Sequence, residues 1–123
     1  MNIIATNKAP GAIGPYSQAY VVNGIVYMSG QIPVNPVDGS VGNDIAAQAE
    51  QSCKNVAAIL EAAGSDFNGV FKTTCFLVDM GDFGTFNSVY EKYFISKPAR
   101  SCVAVKTLPK GVLCEIEASA VVK

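Results

Sequence analysis

The chain has 123 residues, enough for one domain and no second core. Half of them are hydrophobic and only 15% charged, which excludes a disordered chain, and 9 basic against 10 acidic residues lack the basic excess of a nucleic-acid binder. Histidine is absent, so Ser-His-Asp and Cys-His nucleophile pairs, His-ligated zinc and a two-histidine ribonuclease are all excluded.

The four cysteines, at 53, 75, 102 and 114, form no C-x-x-C pair. The start, Met-Asn-Ile-Ile-Ala-Thr-Asn-Lys, carries no apolar leader, and no apolar run approaches the ~18 residues of a membrane span. A cytoplasmic protein with reduced, buried thiols and no membrane partner is expected.

In chain order, residues 7–15 hold two prolines and two glycines and predict a rigid irregular segment. Residues 16–22 and 25–29 predict strands joined by Asn23-Gly24, whose residues both tolerate positive φ. Residues 30–42, with Pro33, Pro36 and Asp38-Gly39, predict a loop. Ile45, Ala49, Cys53, Val56, Leu60 and Ala63 make one apolar stripe and predict a helix over 44–63. Asn43 or Asp44 caps its start and Gly64 its end, and Gln48, Gln51, Lys54, Asn55 and Glu61 fall mostly off the stripe.

Residues 70–78 are β-branched and aromatic and predict a strand covered on both faces. Asp82 is placed to cap a second helix over 83–94, with Phe83, Phe86, Tyr90, Tyr93 and Phe94 as its stripe and Pro98 beyond its end. Residues 100–105 predict a strand, 108–111 a turn. Residues 112–122 alternate, with Val112, Cys114, Ile116, Ala118, Ala120 and Val122 on one face, and Leu113, Glu115, Glu117, Ser119 and Val121 on the other. The order implies an α+β fold: one mixed sheet with two helices packed on one face. The bare second face, of mixed polarity, is expected to be buried against another copy.

Arg100 opens a strand in an apolar stretch. Its guanidinium offers a two-pronged fit to a carboxylate or phosphate, or else serves an ordinary ion pair with a structural Glu. Glu115 and Glu117 share a face and either move a proton or are simply solvated. Tyr16, fixed by Gly14-Pro15, is placed to reach a small polar ligand, and Ser29-Gly30-Gln31 to turn backbone N–H groups to an anion. Cys102 shares a strand face with Arg100 and, without a histidine, is no activated nucleophile.

The chain as a whole resembles the Rid family, the reactive intermediate deaminases or YjgF-type proteins. The resemblance rests on Ala-Pro-Gly-Ala-Ile-Gly-Pro-Tyr-Ser-Gln-Ala at 9–19 and Ser-Gly-Gln-Ile-Pro-Val-Asn-Pro at 29–36. It continues through Gln-Ala-Glu-Gln-Ser-Cys-Lys-Asn-Val at 48–56 and Lys-Thr-Thr-Cys-Phe-Leu-Val-Asp-Met at 72–80. Pro-Ala-Arg-Ser-Cys-Val-Ala-Val at 98–105 and Glu-Ile-Glu-Ala at 115–118 complete it. It implies a single Rid-family domain over 1–123, a chorismate-mutase-like fold and a homotrimer with a central barrel and clefts between subunits. The implied activity is hydrolysis of 2-imino acids, in equilibrium with 2-enamino acids such as 2-aminoacrylate, to 2-oxo acids and ammonia, without metal or organic cofactor. Arg100 would clamp the substrate carboxylate, and Cys102, Ser29 and Gly30 would contact the bound acid. Glu115 would hold the attacking water, and Tyr16 and Asn87 would line the cleft. Two other functions remain open: a trimeric binding protein for small carboxylates, and a ribonuclease or translation inhibitor, against which the charge balance and the lack of histidine argue.

Overall fold

A computed structural model describes all of residues 1–123. Six strands form one mixed sheet: β1 (Asn2–Ile4), β2 (Ala19–Val22), β3 (Ile25–Met28), β4 (Val70–Leu77), β5 (Ala99–Ala104) and β6 (Cys114–Val121). Their order is β1-β2-β3-β6-β4-β5, with every pair antiparallel except β4 and β5. Two helices, α1 (Ile45–Ala62) and α2 (Phe83–Tyr93), complete the domain.

The helices cover one face. Burial along β6 alternates strictly, so Cys114, Ile116, Ala118 and Ala120 enter the core while Glu115, Glu117, Ser119 and Val121 face away. That is the predicted division of the strand. The core joins those residues to Val26, Met28, Cys75 and Leu77 of the sheet, Cys53, Val56, Ile59 and Leu60 of α1, and Phe86, Tyr90 and Phe94 behind α2. Asn23 and Gly24, with φ of 51° and 78°, make the expected tight turn. Asp44 Oδ1 accepts from the Ala47 N–H at 2.8 Å as N-cap, and Gly64, with φ of 77°, follows α1 in the left-handed region.

Several expectations need correction. Within the chain β4 is covered on one face only: Thr73, Cys75 and Leu77 are buried, whereas Lys72 is exposed and Thr74 and Phe76 are half-buried on the face they share with Glu115, Glu117 and Ser119. The second strand begins at Ala19, not at 16, because the Gln18 side chain is spent on the incoming loop. It accepts from the Thr6 N–H and donates to the Pro10 carbonyl at 2.8 Å. β1 was not anticipated, since three residues carry no readable period. Asp82 makes no cap; Asp79 instead accepts from the Gly81 N–H at 2.8 Å one turn earlier. Gln48 and Asn55 are buried, against their polarity. Gln48 accepts from the Leu113 N–H at 2.7 Å and donates to the Gly42 carbonyl at 2.9 Å. Asn55 donates to the Ile32 and Val34 carbonyls, both at 3.0 Å. These amides fasten the 30–42 loop to α1, satisfying backbone groups that would otherwise be buried without partners.

No helix is long and apolar enough to cross a membrane.

Candidate active site

Arg100 stands on β5, the sheet's edge strand, opposite buried Thr73. Paired residues of neighbouring strands point to one face, so its side chain turns to the helix side. There Nη1 donates to Asn87 Oδ1 at 2.8 Å, and the guanidinium lies 4.7 Å from the Tyr90 ring centroid and 5.5 Å from that of Phe83. Tyr90 is itself fixed by a 2.7 Å hydrogen bond between its hydroxyl and Thr73 Oγ1, and by stacking on Phe94 at 4.2 Å. Phe83, Asn87 and Tyr90, at steps of four and three on α2, are therefore one platform for one cation.

The cation has no anion beside it. The ion pairs of the chain are Lys8–Glu61 and Lys123–Asp66, both exposed, and neither involves Arg100. The structural ion pair left open by the sequence is thus absent. What remains is a half-buried guanidinium, held in place by neutral groups, with donors to spare.

The strand edge adds donors of its own. The Val105 N–H bonds the Leu77 carbonyl inside the sheet. N–H groups alternate in direction along a strand, so those of Arg100 and Cys102 face the free edge. Burial pushes the Cys102 thiol up despite the nearby Arg100 charge, which leaves its backbone, not its sulfur, as the useful group. Cys53, Cys75 and Cys114 are buried and their thiols are pushed up for the same reason, Cys75 and Cys114 to about 12.

Glu115 lies on the other face of the sheet. Its strand neighbours Cys114 and Ile116 are in the core, and it pairs with Phe76, not with Thr73 or Cys75. It lines a hollow with Ile13, Tyr16, Ser29, Gly30, Pro109 and Glu117. Gly30 is shaped to it: a Cβ there would come within 1.9 Å of Glu115 Oε2 and 2.6 Å of Cδ. The Gln31 N–H holds this bend to β6 through the Ile116 carbonyl at 2.7 Å. Ser29 Oγ donates to the Ser17 carbonyl at 2.7 Å, leaving its lone pairs to accept, and the half-exposed Tyr16 hydroxyl accepts from the Ile13 N–H at 3.3 Å. Burial raises the Glu115 carboxyl above its ordinary value, and the Glu117 charge raises it further.

The residues singled out from the sequence therefore fall into two groups. Arg100, Asn87 and Cys102 form one at the β5 edge; Tyr16, Ser29, Gly30, Glu115 and Glu117 form the other on the open face. No hollow is lined by members of both. Two supports escaped the sequence reading. Tyr90 was counted only as core, although a polar Asn87 between Phe83 and Tyr90 on the same stripe was a readable sign of a site. Pro109 sits in a turn whose approach to Glu115 only the fold decides. No group of three or more Cys, Asp or Glu side chains is arranged to hold a metal ion.

A mixed sheet in the order 1-2-3-6-4-5, backed by two helices on one face, is a chorismate-mutase-like α+β domain. The chain belongs to the Endoribonuclease L-PSP family, the YjgF or Rid family, which matches residues 6–122. A Lactococcus lactis protein named for a regulator, AldR, is 57% identical, with 100% of this chain and 99% of that protein covered. The 2-iminobutanoate/2-iminopropanoate deaminases of Escherichia coli and Homo sapiens are 53% and 51% identical, covering 96% and 97% of this chain and 95% and 88% of theirs. Among solved structures, E. coli TdcF with bound serine superimposes with a TM-score of 0.96 at 46% identity, and the E. coli YjgF product with 0.95 at 50%. Each is covered in full by the whole of this chain.

Proposed function

We propose that this chain is a hydrolytic deaminase of 2-imino acids, converting compounds such as 2-iminopropanoate to 2-oxo acids and ammonia. The observation that carries the reading is the unpaired Arg100, aimed by Asn87 and Tyr90 at a strand edge with free N–H groups. A cation prepared in this way without an internal partner is suited to a small carboxylate. The names of the bacterial and mammalian relatives agree with it.

The two groups of residues lie on opposite faces, so one chain does not assemble the cleft. The reading therefore includes a homotrimer, in which the Arg100 edge of one copy meets the Glu115 hollow of the next. The exposed Tyr27, Val103 and Val121 of the open face supply the apolar area for that contact. Cytoplasmic placement, where the buried thiols stay reduced, completes it.

In the cleft, Arg100 with the Arg100 and Cys102 N–H groups takes the substrate carboxylate. Ser29 and Tyr16 limit its position, and Glu115 holds a water facing the imine carbon. An imine needs little help beyond such placement, so orientation supplies most of the rate.

The test is a coupled assay in which a dehydratase generates 2-aminoacrylate and oxo-acid release is followed with and without the protein. Catalytic acceleration over many turnovers is expected. Binding of 2-oxo acids without turnover would leave a carrier of small carboxylates, and RNA cleavage would restore the activity named in the family description.

A further inference from the structure

Glu115 is not alone in its hollow. Glu117, two residues along β6 and on the same face, lines the same space with Tyr16, Ser29 and Gly30. Neither carboxylate is in an ion pair of the chain. Other charged and titratable groups line adjoining hollows. Lys72 of β4 and Tyr27 of β3 share a second hollow with Glu117, and Lys72 makes no ion pair with it. Lys110 of the 109–111 turn lines a third, behind Tyr16 and Gly30. Beneath the pair lie Cys114 and Ile116 in the core, and opposite it on β4 the uncharged Phe76 and Thr74. No lysine or arginine of the chain comes within ion-pair distance of either carboxylate.

We propose that Glu117 is a positioning residue for catalysis, whose carboxylate keeps Glu115 able to accept a proton from water and return it to the departing nitrogen. This rests on the deaminase reading. Hydrolysis needs two proton movements, both from oxygen to nitrogen, and in each the carrying group must first accept the proton and then give it up. As water's oxygen bonds to the imine carbon, the C=N π pair moves to nitrogen, and the proton lost by water passes through Glu115 to that nitrogen. In the resulting 2-amino-2-hydroxy acid, the hydroxyl proton returns through Glu115 to the amine. The O–H pair becomes the C=O π bond, the C–N bond breaks and ammonia leaves. Nothing is oxidised and no net proton is consumed. An ordinary carboxylate gives a proton back poorly at neutral pH, whereas one drawn upward by burial and by a like charge exchanges in both directions. In the assembled cleft, the neighbouring copy's Arg100 would be neutralised by the substrate carboxylate, leaving Glu117 as the anion facing Glu115.

The experiment uses the whole protein, labelled with 13C at glutamate side-chain carboxyls, in wild type, E117Q and E117D, with E115Q to assign the Glu115 signal. Titration by NMR is read beside the pH profile of kcat/KM on imine generated in situ. In E117Q the Glu115 midpoint and the acid limb of the profile are expected to move together to lower pH, with activity below the wild-type limb rising several-fold relative to neutral pH. E117D, which keeps the charge, should restore both towards wild type. A Glu115 midpoint unmoved in a folded E117Q protein overturns the proposal, as does a midpoint that moves while the acid limb stays put. A moving midpoint in a wild-type protein that hydrolyses no imine overturns the deaminase reading and the proton transfer with it, leaving only the electrostatic coupling.

Discussion

At Arg100 the chain commits a charge without giving it a partner, and the consequence is specific to the guanidinium. Lysine would keep the charge but lose the planar fork and the seat on Tyr90. R100K and R100A should therefore lower kcat/KM alike, by roughly 10- to 100-fold each, the worth of a charge-assisted contact. Both should stay folded, by circular dichroism and size-exclusion chromatography, because Arg100 braces no buried charge. At Gly30 the constraint is space. Its φ is not in the left-handed region, so alanine suits the backbone but displaces the Glu115 carboxylate. G30A should retain its Tm within a few degrees, yet lose about 100-fold in kcat/KM, the cost of misplacing one group by an ångström. At Glu115 function and stability oppose each other. Its carboxyl is raised above the ordinary 4.5 by burial first and Glu117 second. The folded state thus holds the proton more tightly than the unfolded one. The stability from this group is full below the unfolded value and is lost as pH rises through the folded one. E115Q should accordingly raise Tm slightly at neutral pH and not below about pH 4, while lowering kcat/KM by about 100-fold or more. A variant that is both less stable and less active at neutral pH would mean that contacts of the ionised Glu115 carboxylate stabilise the fold.

At the scale of elements, the loop that carries Gly30 to Glu115 is held by amides on α1. Asn55 donates to two buried carbonyls and accepts from Gln51 Nε2 at 2.9 Å. N55A leaves the Val34 carbonyl without its partner and removes one of the two donors to the Ile32 carbonyl, which keeps the Val34 N–H at 2.8 Å, and should cost about 1–3 kcal/mol in urea denaturation. Activity should fall further than the folded fraction does, since Gly30 precedes the freed segment. The helices themselves were legible, because stripes at steps of three and four are dictated by 3.6 residues per turn. What the pattern could not show was that Gln48 and Asn55 go inside. A buried amide is decided by carbonyls that the chain brings to it from elsewhere, and here they come from Ile32, Val34 and Gly42.

At the scale of the molecule, the open face and the split site make one demand. In a trimer whose clefts take Arg100 from one copy and Glu115 from the next, R100A and E115A each impair every cleft. Every mixed trimer, however, holds one cleft with both native residues. Random reassembly of equal amounts should thus recover roughly a quarter of wild-type activity. No recovery, with mixed trimers verified by native mass spectrometry, would place the whole site within one chain.

By itself the sequence determined the fold class, the Asn23-Gly24 turn, the two faces of the last strand and the residue types able to act without histidine. Each of these follows from a local period or a side chain's own chemistry. Tertiary structure alone decided that β5 is an edge strand, that Arg100 looks toward the helices and that Glu115 looks away from them. Strand order sets which edge is free, and pairing with β4 sets which face each residue takes. Neither is written in the spacing of one strand, because both depend on partners distant in sequence. Arg100 and Glu115, which the proposed reaction needs side by side as carboxylate clamp and holder of the water, are for that reason on opposite faces of the sheet.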